Sequence, residues 1–161
     1  MGVRLRRAPS LQKPRDFISV FDEAIAKPAD DASDEDRAAF HTRIRIARET
    51  GEYADVLVPG AQPIKFTLAP LTATQYNALI DSGLKNAKMS ALVVRMTCVG
   101  LVGHHDESGK PYKLPARVDD DDFGSVLPES FINALGIHLQ KHVGDAAADV
   151  ITRAVAPPPK P

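Results

Sequence analysis

The stretch "ALVVRMTCVGLVG", residues 91–103, most constrains what this chain can fold into. Arg95 is its only charged residue. A helix starting near Asn86 places Met89, Leu92, Val93, Met96 and Val99 on one face, and Val94 and Cys98 extend the apolar surface around it. A helix apolar nearly all round must be covered on all sides, so it predicts a central core helix. The run is too short to cross a bilayer. Its methionines suit gap filling in a core better than a cofactor site. With 43% hydrophobic residues in 161, the rest of the chain can supply the covering faces within one domain.

Those faces are readable on both sides of the run. Phe17, Val20, Phe21, Ala24 and Ile25 fall at helical spacing and predict a first helix from Arg15, stopped at Lys27-Pro28. Ser33 is a good N-cap, followed by Asp34, Glu35 and Asp36, where a helix N-terminus favours acids. Phe40, Ile44 and Ala47 then form one stripe and Gly51 ends the helix. Arg43, Arg45 and Arg48 complement its C-terminal dipole, which explains them without nucleic acid.

Alternation of Val56 and Val58, then of Ile64, Phe66 and Leu68, around "PGAQP" predicts a β-hairpin over residues 53–69. Thr72 and Gln75 form a capping box, with Leu71 and Tyr76 as a hydrophobic staple, and predict a helix from Ala73 to Ser82. Pro128 suits a first helical turn, and Phe131, Leu135 and Leu139 make an apolar stripe ended by Gly144. "DAAADVITRAVA" reads as a short last helix. The expectation is a mostly helical α+β domain over residues 15–155, with its core at about 53–143. A basic arm, residues 1–14, precedes it and a proline-rich tail, residues 156–161, follows.

Two clusters could carry metal chemistry. His104 and His105 precede Asp106 and Glu107, but neighbouring residues on a strand point to opposite faces and do not converge on one ion. "DESGKP" has the chemistry of a turn, so residues 101–114 are expected to form a second short hairpin or loop. His138 and His142 have i, i+4 spacing, yet no Glu or Cys partner stands beside them. Asp119, Asp120, Asp121 and Asp122 lack the spacing of a calcium loop and suit a helix N-terminus. A metal-binding module or metal-dependent enzyme using His104, His105 and the four aspartates is the alternative reading. No Gly-rich phosphate loop or nucleophile elbow is present, and no cofactor is expected. The single cysteine, Cys98, sits in the apolar run as a buried small hydrophobe. Twenty basic against twenty-one acidic residues give no basic footprint for nucleic acid. The N-terminus has no hydrophobic signal segment, which suggests assembly in a cytosol.

The order of features resembles that of small tailed-bacteriophage particle-assembly proteins, a group including tail assembly chaperones and minor virion proteins. The matching residues are Phe66, Leu68, Pro70, Leu71 and Thr72 before a helix. Gly103, Asp106, Gly109, Lys110 and Pro111 then precede a C-terminal helix. The resemblance covers about residues 53–143. It implies a non-enzymatic protein, present in multiple copies, that contacts other phage particle subunits in the tail or head–tail region and resides in the virion. A chaperone absent from the mature virion is the variant of that reading. Arg4, Arg6 and Arg7 in the basic arm, and Pro157, Pro158 and Pro159 in the tail, are the expected partner-binding residues.

Overall fold

The computed structural model describes residues 13–155. The α+β class holds, with five α-helices and two small antiparallel sheets among the described residues. β1 (Arg15–Ile18), β2 (Lys65–Leu68) and β3 (Cys98–Val102) form one sheet with β2 in the middle. β4 (Val118–Asp120) and β5 (Gly124–Val126) form the other. The helices are α1 (Asp34–Thr50), α2 (Ala73–Asp81), α3 (Asn86–Thr97), α4 (Glu129–Leu135) and α5 (Gln140–Ala154).

Local signals fix several elements. Ser33 accepts the Asp36 N–H at 3.1 Å to start α1. Thr72 and Gln75 bond reciprocally, at 3.0 and 2.9 Å, to start α2. A cap of this kind contributes about 1 kcal/mol.

The segment expected as a first helix instead begins as β1. Phe17 stands opposite Phe66 across the sheet, and Phe66 opposite Leu101. Helix formation after Ile18 is defeated by polar side chains that bond their own backbone: Ser19 Oγ accepts the Phe21 N–H and Asp22 Oδ1 accepts the Ala24 N–H. The hairpin expected over residues 53–69 also dissolves. Residues Ala54–Val56 form a 3-10 turn. The Ala26 N–H donates to the Val56 carbonyl and the Val58 N–H to the Ala24 carbonyl, both at 2.8 Å, so this stretch pairs with residues 24–26. β2 is left free to pair with β1 and β3.

The core run divides. α3 ends at Thr97 and the chain continues as β3, leaving Val99 half exposed. Arg117 stabilises the junction by donating to the carbonyls of Met96 at 2.7 Å and Cys98 at 2.9 Å, where a helix C-terminus favours a cation. Asp119, Asp120, Asp121 and Asp122 start no helix. They lie in the β4–β5 hairpin, where Asp120 Oδ1 accepts the N–H groups of Asp122 and Phe123. Gly144 ends nothing; α5 runs through it, so the expected short last helix is the second half of α5.

Apolar residues collect into two clusters. The larger joins Phe17, Phe66, Leu92, Val93, Phe131, Leu135, Ala146 and Val150, with α3 packed along α5. The smaller holds Ile18, Ile25, Phe40, Ile44, Tyr53 and Val56 beneath α1. Phe17 and Ile18 fall in different clusters because successive strand residues face opposite sides. An ionic staple ties the two together. Asp145 of α5 accepts Arg48 Nη2 of α1 at 2.7 and 2.8 Å, and also the Ser19 hydroxyl and Val20 N–H at 3.0 Å.

Candidate functional site

An apolar groove of about 530 Å³ lies where α3, α4 and α5 meet. Small residues form its walls: Ala87, Ser90 and Ala91 from α3, and Gly144 from α5. Ile132 and Val143 add apolar surface, and no ionised side chain lines it. Gly136 shapes the rim. Its φ of 79° and ψ of 171° lie in a region that only glycine adopts without strain. An added Cβ would also stand 3.1 Å from the His138 ring. That conformation breaks α4 from the 3-10 turn Ile137–Leu139, so Leu139 turns into the core while Ile137 projects outward, 87% exposed. An isoleucine so displayed beside an apolar groove gains free energy when another surface covers it, about 1.5–3 kcal/mol for full burial.

A second cleft, about 650 Å³, is lined by Phe21, Asp22, His138 and His142. Its chemistry is more occupied than its composition suggests. Both carboxylate oxygens of Asp22 already accept backbone N–H groups at 2.8 Å, from Ala24 and Ile64. His142 is buried, its Nδ1 has no hydrogen-bond partner, and burial holds its pKa below the ordinary histidine value, with Asp22 and Asp145 pulling the other way. The i, i+4 pair is therefore unequal: His138 is exposed on the 3-10 turn and His142 is in the helix.

The adjacent histidines diverge. His104 packs edge-on against Tyr112, centroids 5.4 Å apart, with Nε2 3.1 Å from the Ala134 carbonyl oxygen. His105 is exposed and bridges to Pro111. The following loop is the expected turn: Asp106 Oδ1 accepts the Ser108 hydroxyl and the N–H groups of Ser108 and Lys110. Those bonds, the Ser108 hydroxyl first, lower the Asp106 pKa. The four aspartates of the β4–β5 hairpin do not join these histidines in a ligand set. Among the described residues, no three His, Cys, Asp or Glu side chains group to hold a metal ion.

Between α1 and α5 lies a third cleft, about 350 Å³, lined by Arg15, Arg48, Asp149 and Arg153. Arg153 pairs with Asp149 at 3.1 Å. Burial raises the Asp149 pKa and lowers that of Arg153, and each ion partly offsets the effect on the other. Burial pushes Tyr53 to about 12. The Arg153–Asp149 pair lies within α5, and the ionic contact from α1 to α5 is that of Arg48 with Asp145.

Arg4, Arg6, Arg7, Pro157, Pro158 and Pro159 lie outside the described residues. The groove was not legible in the sequence. Its local trace is Gly136 directly before Ile137, an isoleucine off the Phe131–Leu135–Leu139 stripe, and Gly144 within α5. No protein-family model, no curated protein and no solved structure matches the chain. Among the described residues, no helix is long and apolar enough to cross a membrane.

Proposed function

We propose that this is a non-enzymatic bacteriophage structural or assembly protein that acts through protein–protein contacts in the tail or head–tail region, in multiple copies, assembled in the host cytoplasm. The observation that carries the contact role is Ile137, held in solvent by a glycine-only joint on the rim of an uncharged groove. Such a patch has the composition of an interface core, where charged residues are depleted. The particle context rests on the motif order. Phe66, Leu68, Pro70, Leu71 and Thr72 lead from β2 into the capped start of α2, and Gly103 to Pro111 form the turn after β3.

The test is a photo-crosslinking residue at exposed Asn133, which lines the groove, in chains expressed during particle assembly. The expected result is a crosslink to a particle subunit and recovery of the chain in purified particles by mass spectrometry. Crosslinking during assembly with absence from mature particles identifies an assembly chaperone. No crosslink from residue 133 at any stage overturns the reading.

A further inference from the structure

We infer that the cleft between α1 and α5 is a carboxylate-binding site that takes an acidic side chain of a partner protein between Arg15 and Arg153. The cleft shares no lining residue with the apolar groove, so this inference goes beyond the groove reading and stands or falls apart from it. Charge identifies the occupant. Four arginines, Arg15, Arg45, Arg48 and Arg153, line the cleft against two acids, Glu49 and Asp149. Arg48 is taken by a third acid, Asp145, and Arg153 by Asp149. Among the described residues, Arg15 and Arg45 have no ion-pair partner. Four cations therefore face three anions, and the cluster is one negative charge short.

Two donors of these guanidiniums, Arg48 Nε and Arg153 Nε, are buried without a hydrogen-bond partner, a cost that a bound acceptor offsets. Arg15 also repels Arg153, and a carboxylate between them replaces that repulsion with two attractions. A guanidinium fork matches a carboxylate through two parallel hydrogen bonds. The shape points to a side chain rather than a lone ion. Ile44 and Ala148 add apolar wall, and about 350 Å³ holds the stem of an acidic side chain as well as its carboxylate. Adjoining sequence cannot supply that acid: residues 1–15 hold five cations and no Asp or Glu, and residues 150–161 hold no Asp or Glu either. The basic run that joins the cleft at Arg15 favours a segment with several carboxylates. A nucleic-acid strand fits less well, because no Phe, Tyr or Trp lines the cleft to stack a base and the chain has no net positive charge.

The experiment is fluorescence anisotropy on the full chain with a dye-labelled Glu-Ala repeat peptide, its Gln-Ala counterpart and single-stranded oligothymidylate. Salt at about 0.1 M screens distant charges. The variants are Arg45→Glu, at the exposed side of the cleft, Lys113→Glu, an equal charge change on an exposed residue outside it, and Asp149→Asn. Circular dichroism checks that each keeps its helices. The wild type is expected to bind the Glu-Ala peptide and not the Gln-Ala peptide. Arg45→Glu is expected to weaken binding about tenfold or more, and Lys113→Glu to change it less than about twofold. Asp149→Asn removes a competing carboxylate beside Arg153, so it is expected to bind more tightly, whereas a merely structural role for Asp149 would not strengthen binding. If that variant fails to fold, the comparison of Arg45→Glu with Lys113→Glu decides alone. Absence of Glu-Ala binding overturns the inference, as does equal weakening by the two Glu substitutions or a folded Asp149→Asn that binds no more tightly. Oligothymidylate binding more tightly than the Glu-Ala peptide, and lost in Arg45→Glu, also overturns it and assigns the cleft to phosphodiesters. Acetate that displaces the peptide at equal carboxylate concentration overturns the protein source in favour of a small acid.

Discussion

Asp145→Ala tests how α1 and its small apolar cluster are held to the rest of the molecule. The carboxylate receives Arg48 on both oxygens, together with the Ser19 hydroxyl and the Val20 N–H. Its side chain is 11% exposed and that of Arg48 is 25% exposed. Hydrogen bonds to a charged group contribute about 1.5–3 kcal/mol each, but they do not add when one carboxylate serves them all. Removing one partner of a buried ion pair costs about 3–5 kcal/mol. Arg48 can regain part of its hydration, which places the expected loss near the lower end, about 3 kcal/mol. For a chain of this length, that lowers Tm by about 6–12 °C.

Thermal unfolding of the wild type, Asp145→Ala, Arg48→Ala and the double variant measures the loss and the coupling. Arg48→Ala adds little once Asp145 is gone, with a coupling of at least about 1 kcal/mol. Native-state hydrogen exchange should show α1 losing protection before α3 and α5, because the staple joins the clusters without belonging to the larger core. A loss below about 1 kcal/mol, or strict additivity of the two substitutions, refutes the staple.

Three further outcomes follow from the same structure. The buried His142 imidazole has a folded pKa below its ordinary 6.5, so the unfolded chain binds more protons once the pH drops below that value. Stability therefore declines as pH falls from about 6.5 toward the folded pKa, and His142→Gln should flatten that decline in denaturant titrations; an unchanged pH slope would count against it. Burial pushes the Cys98 thiol to about 11, so a disulfide reagent at neutral pH should react at the unfolding rate, and rapid labelling of folded protein would contradict this burial. Gly103 has a φ of 91°, and a Cβ there would stand 2.1 Å from the Pro63 carbonyl oxygen. Gly103→Ala should therefore cost more than about 3 kcal/mol by chemical denaturation, and a near-neutral result would mean the Pro63 segment yields easily.

The features readable from sequence are those whose partners lie within a few residues. Ser33 reaches Asp36, Thr72 reaches Gln75, and Asp106 reaches Ser108 and Lys110. Short closures of this kind cost little chain entropy and depend on backbone geometry that the side chain itself selects. Burial of Phe66, Leu68, Leu92 and Val93 was legible for a related reason: the apolar pattern demands cover whatever provides it. What covers them was not. Phe17 and Ile18 fit a helical face as well as a two-sided strand, and only pairing of Phe17 with distant Phe66 selects the strand. Val56 and Val58 alternate like half of a hairpin, yet their backbone partners are Ala26 and Ala24. The same holds for Arg48 and Asp145, ninety-seven positions apart, and for the groove, which exists only where α3, α4 and α5 converge. Local hydrogen bonds and the need for burial are properties of the sequence. The choice among distant partners belongs to the packed core, which settles all of them together by the free energy of one shared arrangement.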